Sequence, residues 1–504
     1  MASVQPRASA CLTIGTALLF LSSVSSAQRT TASRSDSALV RRILSAEDRR
    51  DSADAALKEG TRSANEHVRT LARRAIGRMR DPRFATRDSL PPLRVPMTWP
   101  EPAWRLRYRA LTAQSDCGAL RTALADSAWQ VRLHAADLAG ASCSSDTTIA
   151  NTLERWITLV PVDASQRQRG SVSWQAAAHA IVALARVDPP EARRRLPALA
   201  RHRQWQVRMY AARAAGVLSD TAHLRTLVGD ANDNVKERAI DALSALTGHG
   251  DDQLFLTVVN SPSAGAQAVR AAARALLGSP DPGAHAAENA AFTRWVARDN
   301  ASARDARVAL LAAAGRPAND DRPATTRVDL PARAVALALG AEARVRVTMA
   351  RESGGGSFVV RMRGDVAPIM VARVLALVQS GYYNGYGWHR VEPDFVIQGP
   401  SRGDNEYVGY SRYFRDELGT VPHTRGTVGM STRGHDTGDG QWFVNLRDNP
   451  RLGRDYTVFG EVVEGMEVVD DIGHRATIAK DKLQDIPAQP VVIKRVVVLS
   501  GAAP

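Results

Sequence analysis

The sequence predicts a multidomain protein, all-α through roughly its first two thirds and rich in β-strand thereafter. Three observations carry this. At 504 residues the chain is too long for one ordinary core, so it calls for about three domains or a repeat array. A short phrase built on Val-Arg recurs between Ser35 and Arg316, and each copy is followed by small apolar residues at helical spacing. Beyond Asn319 the phrase stops, and apolar residues begin to alternate with polar ones as in half-buried strands. The expected order is an export signal over 1–27, a helical repeat region over 28–316, a linker over 317–334 and a strand-rich domain over 335–504.

The amino-terminal element reads as an export signal. Arg7 supplies a positive start, Leu12 to Val24 a short apolar run, and Ser25-Ser26-Ala27 the small residues of a cleavage site before Gln28. That run is shorter than the roughly 20 apolar residues a membrane-spanning helix needs, and nothing later is apolar for long enough. The expectation is an exported protein, periplasmic or secreted, without integral membrane association. Cys11 would leave with the signal. Cys117 and Cys143 remain, and an oxidising compartment would let them pair across neighbouring antiparallel helices or leave them as free buried thiols.

The repeat region comes next. Its phrase reads Glu66-His-Val-Arg69, Trp129-Gln-Val-Arg132, Trp205-Gln-Val-Arg208, Asp233-Asn-Val-Lys236 and Gln267-Ala-Val-Arg270, with Trp174-Gln-Ala-Ala177 as a weak intermediate copy. The valines are spaced by 28 (207 to 235) and 34 (235 to 269), a period that means stacked helical hairpins. Valine should face the core while the following Arg reaches an acid on the adjacent repeat. Asp126 and Asp230, each five residues before a repeat valine, suit an N-cap or turn, and Gly140, Gly216 and Gly278 suit helix C-caps. The segment resembles HEAT-type repeats, an α-solenoid whose neighbours together bury a stripe that no single hairpin could. Such an array implies a protein partner on its concave face, or a spacer role.

Asn319-Asp-Asp-Arg-Pro-Ala-Thr-Thr326 breaks the helical pattern and reads as a linker. Ala343–Met349 and Phe358–Met362 then read as strands joined by the turn Gly354-Gly-Gly356. No helix opening with Lys-Ser/Thr follows those glycines, so they are not a phosphate loop. Ala367-Pro368 opens a helix ending at Gly381, short strands follow, and Val491–Leu499 is long and apolar enough to close a barrel.

The formal charge of +14 invites a nucleic-acid reading. The basic residues are nearly all arginines spread along the chain near Asp or Glu, with no aromatic-interleaved patch, so solvated and paired helix faces are expected and no nucleic acid. His435-Asp436 and Asp470-Asp471 lack partners at metal-ligand spacing and are expected to cap turns.

The stretch Gly385 to Gly399, with Gly426–Met430, Gly440–Val444 and Val458-Phe-Gly460, resembles the cyclophilins, the cyclosporin-binding family of peptidyl-prolyl cis-trans isomerases. The resemblance covers Ala343 to Leu499 and implies a closed β-barrel with capping helices. It also implies a proline-containing polypeptide substrate, with no metal and no cofactor. Matched motif by motif, it makes Arg390, Gln398 and Phe395 the catalytic residues. Val396, Met430, Ser431, Thr432, Gln441, Phe443, Leu452 and Tyr456 would bind substrate, the backbone of 430–432 lining the groove. Three departures stand out: Val396 replaces a methionine, Tyr456 a histidine, and Arg451 the tryptophan on which tight cyclosporin binding depends. Weak cyclosporin binding is therefore expected. The whole reads as an isomerase assisting proline-limited folding of exported proteins, its repeat region binding or positioning clients. The alternative is a non-enzymatic proline-segment-binding scaffold or chaperone dominated by the repeats.

Overall fold

Each copy of the recurring phrase opens a helix in the computed structural model, which describes residues 34–80, 103–160, 173–298, 303–321, 329–393, 395–453, 455–475, 487 and 490–499. The expected export signal and part of the expected linker lie outside these residues. The phrase helices are Glu66–Arg80, Trp129–Leu138, Trp174–Val187, Trp205–Val217, Asp233–Thr247 and Ala266–Ala275. Val68, Val131, Val207, Val235 and Val269 are all buried.

The following arginine has a use the sequence does not reveal. Arg69, Arg132 and Arg208 each turn back to two carbonyls of the loop before their own helix, at 2.6 and 2.7 Å, 2.6 and 3.0 Å, and 2.8 and 3.1 Å. Loop carbonyls without helical partners are thereby satisfied by a charged donor. The inter-repeat pairing also occurs: Arg208 meets Asp230 at 2.7 and 2.8 Å, and Arg270 meets Glu237.

Asp126 and Asp230 accept from Ala128 and Asn232 as turn residues, not as N-caps. Of the three expected C-cap glycines only Gly278 is left-handed (φ +79°). Gly216 lies inside its helix, where a Cβ would stand 3.1 Å from that of Ala242 and crowd the next phrase helix.

Helices 174–187, 205–217, 233–247, 266–275 and Arg304–Ala313 pack each on the next. The intervening helices 189–199, 221–228, 252–260 and 284–296 complete the hairpins, and one core runs from Tyr108 to Ala313. Cys117 and Cys143 are disulfide-bonded, with Cα atoms 5.6 Å apart. The bond joins the start of one helix to a single 3-10 turn (Ala141–Cys143), not two antiparallel helices.

The C-terminal region contributes β1 (Ala343–Met349), β2 (Ser357–Met362), β3 (Arg390–Glu392), β4 (Val396–Gly399), β5 (Thr427–Met430), β6 (Trp442–Asn445), β7 (Val458–Glu464) and β8 (Ile493–Val498). They form one antiparallel sheet in the order β3-β4-β6-β5-β7-β2-β1-β8. β1 alternates buried and less buried residues, as its sequence predicts. Gly354, Gly355 and Gly356 all adopt positive φ, which explains a triplet there. Helix Pro368–Gln379 packs against the sheet and is followed by left-handed Gly381 (φ +72°).

The expected closed barrel is met only in part. The sheet is curled, and its end strands β3 and β8 share no ladder among the described residues. Single bridges from Gly387 to Ser401 and to Val492 span the gap, with Gly385 N and Trp388 N donating to the carbonyls of Ile493 and Val491.

Helices Arg34–Arg49, Ala55–Thr61 and Glu66–Arg80 belong by pattern to the repeat region but pack elsewhere. Their apolar faces, including Val40, Ile43, Leu44, Val68 and Leu71, share one core with the sheet. Buried Arg78 pairs with Glu47 at 2.9 Å and donates to the carbonyls of Val366, Glu417 and Leu418. Asp48 takes both Arg373 nitrogens at 2.9 and 2.8 Å. Among the described residues, no helix is long and apolar enough to cross a membrane.

Candidate active site

Strand register assembles the site. Arg390 on β3 lies opposite Gln398 on β4, Gln398 opposite Phe443 on β6, and Phe443 opposite Gly429 on β5. Because side chains alternate across a strand, these positions share one face of the curled sheet. The neighbouring row, Val391, Ile397, Val444 and Val428, points to the other face and is fully buried in the barrel core. Apolar residues on the inner face thus fix which residues reach the outer one.

Polar contacts tie the row together. Arg390 Nη1 donates to Gln398 Oε1 at 2.9 Å, and Gln398 Nε2 donates to Ser431 Oγ at 2.9 Å. Arg390 Nε donates to Glu392 at 2.9 Å, so the guanidinium is anchored on its strand side. A planar fork held by two partners keeps a fixed direction that a Lys ammonium would not.

Aromatic rings form the apolar part. Phe443 stacks on His423 (5.6 Å, 24°) and meets Tyr456 edge-on (5.5 Å, 88°). Phe395 lies under two guanidinium groups, those of Arg451 at 4.1 Å and Arg390 at 5.9 Å. Gly429 explains how Phe443 fits: a Cβ there would stand 2.3 Å from the ring's Cζ, so only glycine lets the ring lie across β5. Burial pushes the His423 ring down to about 4, and burial with the Arg390 and Arg433 charges pushes His389 to about 3. Both are neutral at physiological pH.

Of the sequence-predicted residues, the structure brings together Arg390, Phe395, Gln398, Ser431, Phe443 and Tyr456. Val396 lies on the same face of β4, opposite Asn445. Leu452 is half-buried in the turn Pro450–Leu452 beside Arg451, and Thr432 is half-buried after β5. Met430 is different: its side chain is fully buried in the barrel core, and its N–H donates to Thr457 O. Gln441 is also buried, its amide given to Glu406 O at 3.0 Å and Asp439 at 3.2 Å.

His435-Asp436 and Asp470-Asp471 have other uses than capping turns. Asp436 pairs with Arg50 and Arg415, while Asp470 and Asp471 lie in helix Met466–Gly473 and pair with Arg425 and Arg475. Sequence reasoning missed Glu392 and His423. Glu392 was readable in principle, two residues along the same strand face from Arg390. His423 reaches Phe443 through the fold alone.

The set offers a directed guanidinium and amide beside an apolar aromatic pocket, with no titrating base near neutrality. That suits binding and polarising an amide flanked by an apolar ring. Comparison with known proteins points the same way. The family described as "Cyclophilin type peptidyl-prolyl cis-trans isomerase/CLD" matches residues 345–498. The chain is 32% identical over 165 residues to a peptidyl-prolyl cis-trans isomerase of Acinetobacter baylyi, covering 31% of this chain and 88% of that protein. It is 34% identical over 150 residues to peptidyl-prolyl cis-trans isomerase A of Dickeya dadantii, covering 28% of this chain and 79% of that one. Against peptidyl-prolyl cis-trans isomerase-like 2 of Gibberella zeae it is 34% identical over 153 residues, 29% of this chain but only 26% of that longer protein. Through this C-terminal domain the chain belongs to the cyclophilin-type peptidyl-prolyl cis-trans isomerases.

Proposed function

We propose that the protein accelerates rotation about X-Pro bonds of client polypeptides, with Arg390 as its principal catalytic group. The uncatalysed barrier is about 18–20 kcal/mol because amide resonance must be broken, while the cis and trans forms are near balance. Catalysis therefore means binding the twisted amide better than either planar form. Arg390 donates to the prolyl nitrogen as it becomes pyramidal and basic. Gln398 and the 430–432 backbone hold the flanking peptide, while Phe395, Val396, Phe443, Leu452 and Tyr456 surround the proline ring. Gln441 supports the 431 edge from beneath, where Ser431 N donates to its carbonyl. The observation that carries this reading is the cross-strand row Arg390–Gln398–Phe443, with Gly429 clearing room for the ring.

The test uses the full chain with an Ala-Pro peptide and NMR exchange spectroscopy. Arg390→Ala should lower kcat/KM by about 10²-fold, the usual cost of removing one preorganised electrostatic donor, with circular dichroism unchanged. An unchanged exchange rate would sink the enzyme reading and favour a non-enzymatic scaffold.

We further read the hairpin array as a HEAT-like solenoid that positions clients, and residues 335–504 as the isomerase domain joined through 317–334. The regular packing of successive phrase helices supports the first point. The Cys117–Cys143 disulfide supports an exported, periplasmic or secreted setting, where proline-limited folding of other exported proteins would be the task. Weak cyclosporin binding follows from Arg451.

A further inference from the structure

The helical array meets the isomerase domain at the edge of the pocket. Arg433, two residues beyond Ser431, points its guanidinium into that junction. Its Nε lies 2.9 Å from Asp305 of helix Arg304–Ala313, its Nη2 lies 2.8 Å from Asp439, and its Nη1 donates to Glu406 O. Arg304 Nη1 donates to the Arg433 carbonyl at 3.0 Å. The array therefore grips both the side chain and the main chain of this residue. The pair is well shielded, with side-chain exposures of 14% for Arg433 and 16% for Asp305. Gly434, the next residue, is exposed and left-handed (φ +116°), so nothing stiff follows.

From Arg433 a continuous path leads to the catalytic guanidinium. The chain runs through Thr432 to Ser431, whose hydroxyl accepts from Gln398, which in turn accepts from Arg390. Close by, the array does not seal against loop 402–408. Two cavities of about 320 and 430 Å³ border the contact that Asn234 makes with Gly403 and Asn405. The junction is thus held by a few discrete polar contacts, and losing one is not masked by surrounding packing.

We propose that helix Arg304–Ala313 of the array is a positioning element for the substrate pocket: Asp305 and Arg304 fix the 431–433 edge and so set affinity for proline-containing peptides. This rests on reading that pocket as the isomerase site. The held edge contacts planar and twisted substrate alike, so its loss weakens binding in both and raises KM more than it lowers kcat.

The test compares full-length Asp305→Ala, Asp305→Glu and Asp48→Ala with wild type. An Ala-Pro peptide is titrated by calorimetry for Kd, and exchange kinetics give kcat and KM. Asp48 is the control because its bond to Arg373 is as short and as buried, on a helix that carries no pocket residue. Asp305→Ala should raise Kd and KM about fivefold, the range expected for one charge-assisted hydrogen bond, with kcat changed less than about twofold. Asp305→Glu should recover most of the affinity, and Asp48→Ala should leave Kd unmoved. The proposal is overturned if Asp305→Ala leaves Kd unchanged, or if Asp48→Ala raises it equally. Should wild type bind the peptide without isomerising it, the enzyme reading fails while the Kd comparison still decides this one.

Discussion

Arg390 is held from two sides, by Glu392 on its own strand and Gln398 on the next. A guanidinium fixed before substrate arrives needs no reorganisation at the moment of rotation, which is where electrostatic catalysis draws its effect. Phe395 is shared with a second cation, because Arg451 lies 4.1 Å over its ring from an exposed turn. Arg451 stands where the resemblance places a cyclosporin-gripping tryptophan, so Arg451→Trp should restore an indole face and donor at the rim. Cyclosporin affinity should rise at least about tenfold, as for an aromatic anchor gained at an interface, with peptide turnover little changed. Fluorescence titration of both forms would measure this, and equal affinities would refute it.

At the scale of elements, strand register does what no residue can do alone, and helix burial creates a liability of its own. The four-strand row needs a one-residue register on each of β3, β4, β5 and β6; a slip would exchange Phe443 with core Val444. In helix Ala284–Val296, Glu288 is fully buried and neither carboxylate oxygen has a hydrogen-bond partner among the described residues. Burial, helped by the Asp252 charge, pushes its carboxyl from 4.5 up to about 7. Between those values the folded chain keeps a proton that the unfolded chain has released. The contribution to stability therefore falls as pH rises through that window and is wholly a penalty above it. Glu288→Gln removes the charge at constant shape. It should stabilise the array by about 1–3 kcal/mol at pH 8 and by almost nothing below pH 4.5. Urea unfolding at both pH values reads the difference, and an equal gain at each would exclude ionisation as the cause.

At the scale of the whole molecule, what sequence made legible and what it hid follow from the range of the interactions. The ordered blocks around Arg390, Gln398 and Phe443 announce their fold because each block is local and its order along the chain is characteristic. Valine burial in the array was legible for the same reason, since helical period is a local property. Glu392, His423 and Asp305 were not, because their roles depend on pairings that only the folded chain makes. The docking of residues 34–80 was hidden most completely. Glu66-His-Val-Arg69 has the same grammar as Trp205-Gln-Val-Arg208, yet its apolar stripe covers the sheet and not the next hairpin. Pattern states that a face is buried, not against what.

That docking has a consequence for the isomerase domain. Without helices 34–80, the sheet and helix Pro368–Gln379 lose the apolar partners Val40, Ile43, Leu44, Val68 and Leu71 from a common core. Arg373 loses Asp48, and Glu417, which burial pushes up to about 7, loses nearby Arg78 at 3.8 Å. Buried charges stripped of a partner cost about 3–5 kcal/mol each, against a typical domain stability of about 5–15 kcal/mol. A fragment of residues 329–504 should therefore melt well below the C-terminal transition of the full chain and bind a dye for exposed apolar surface. Adding a peptide of residues 34–80 in trans should raise its melting temperature in proportion to peptide occupancy. The measurement is a thermal melt by circular dichroism with and without the peptide. A fragment that melts as high as the full chain would mean the helices lie on the domain without stabilising it.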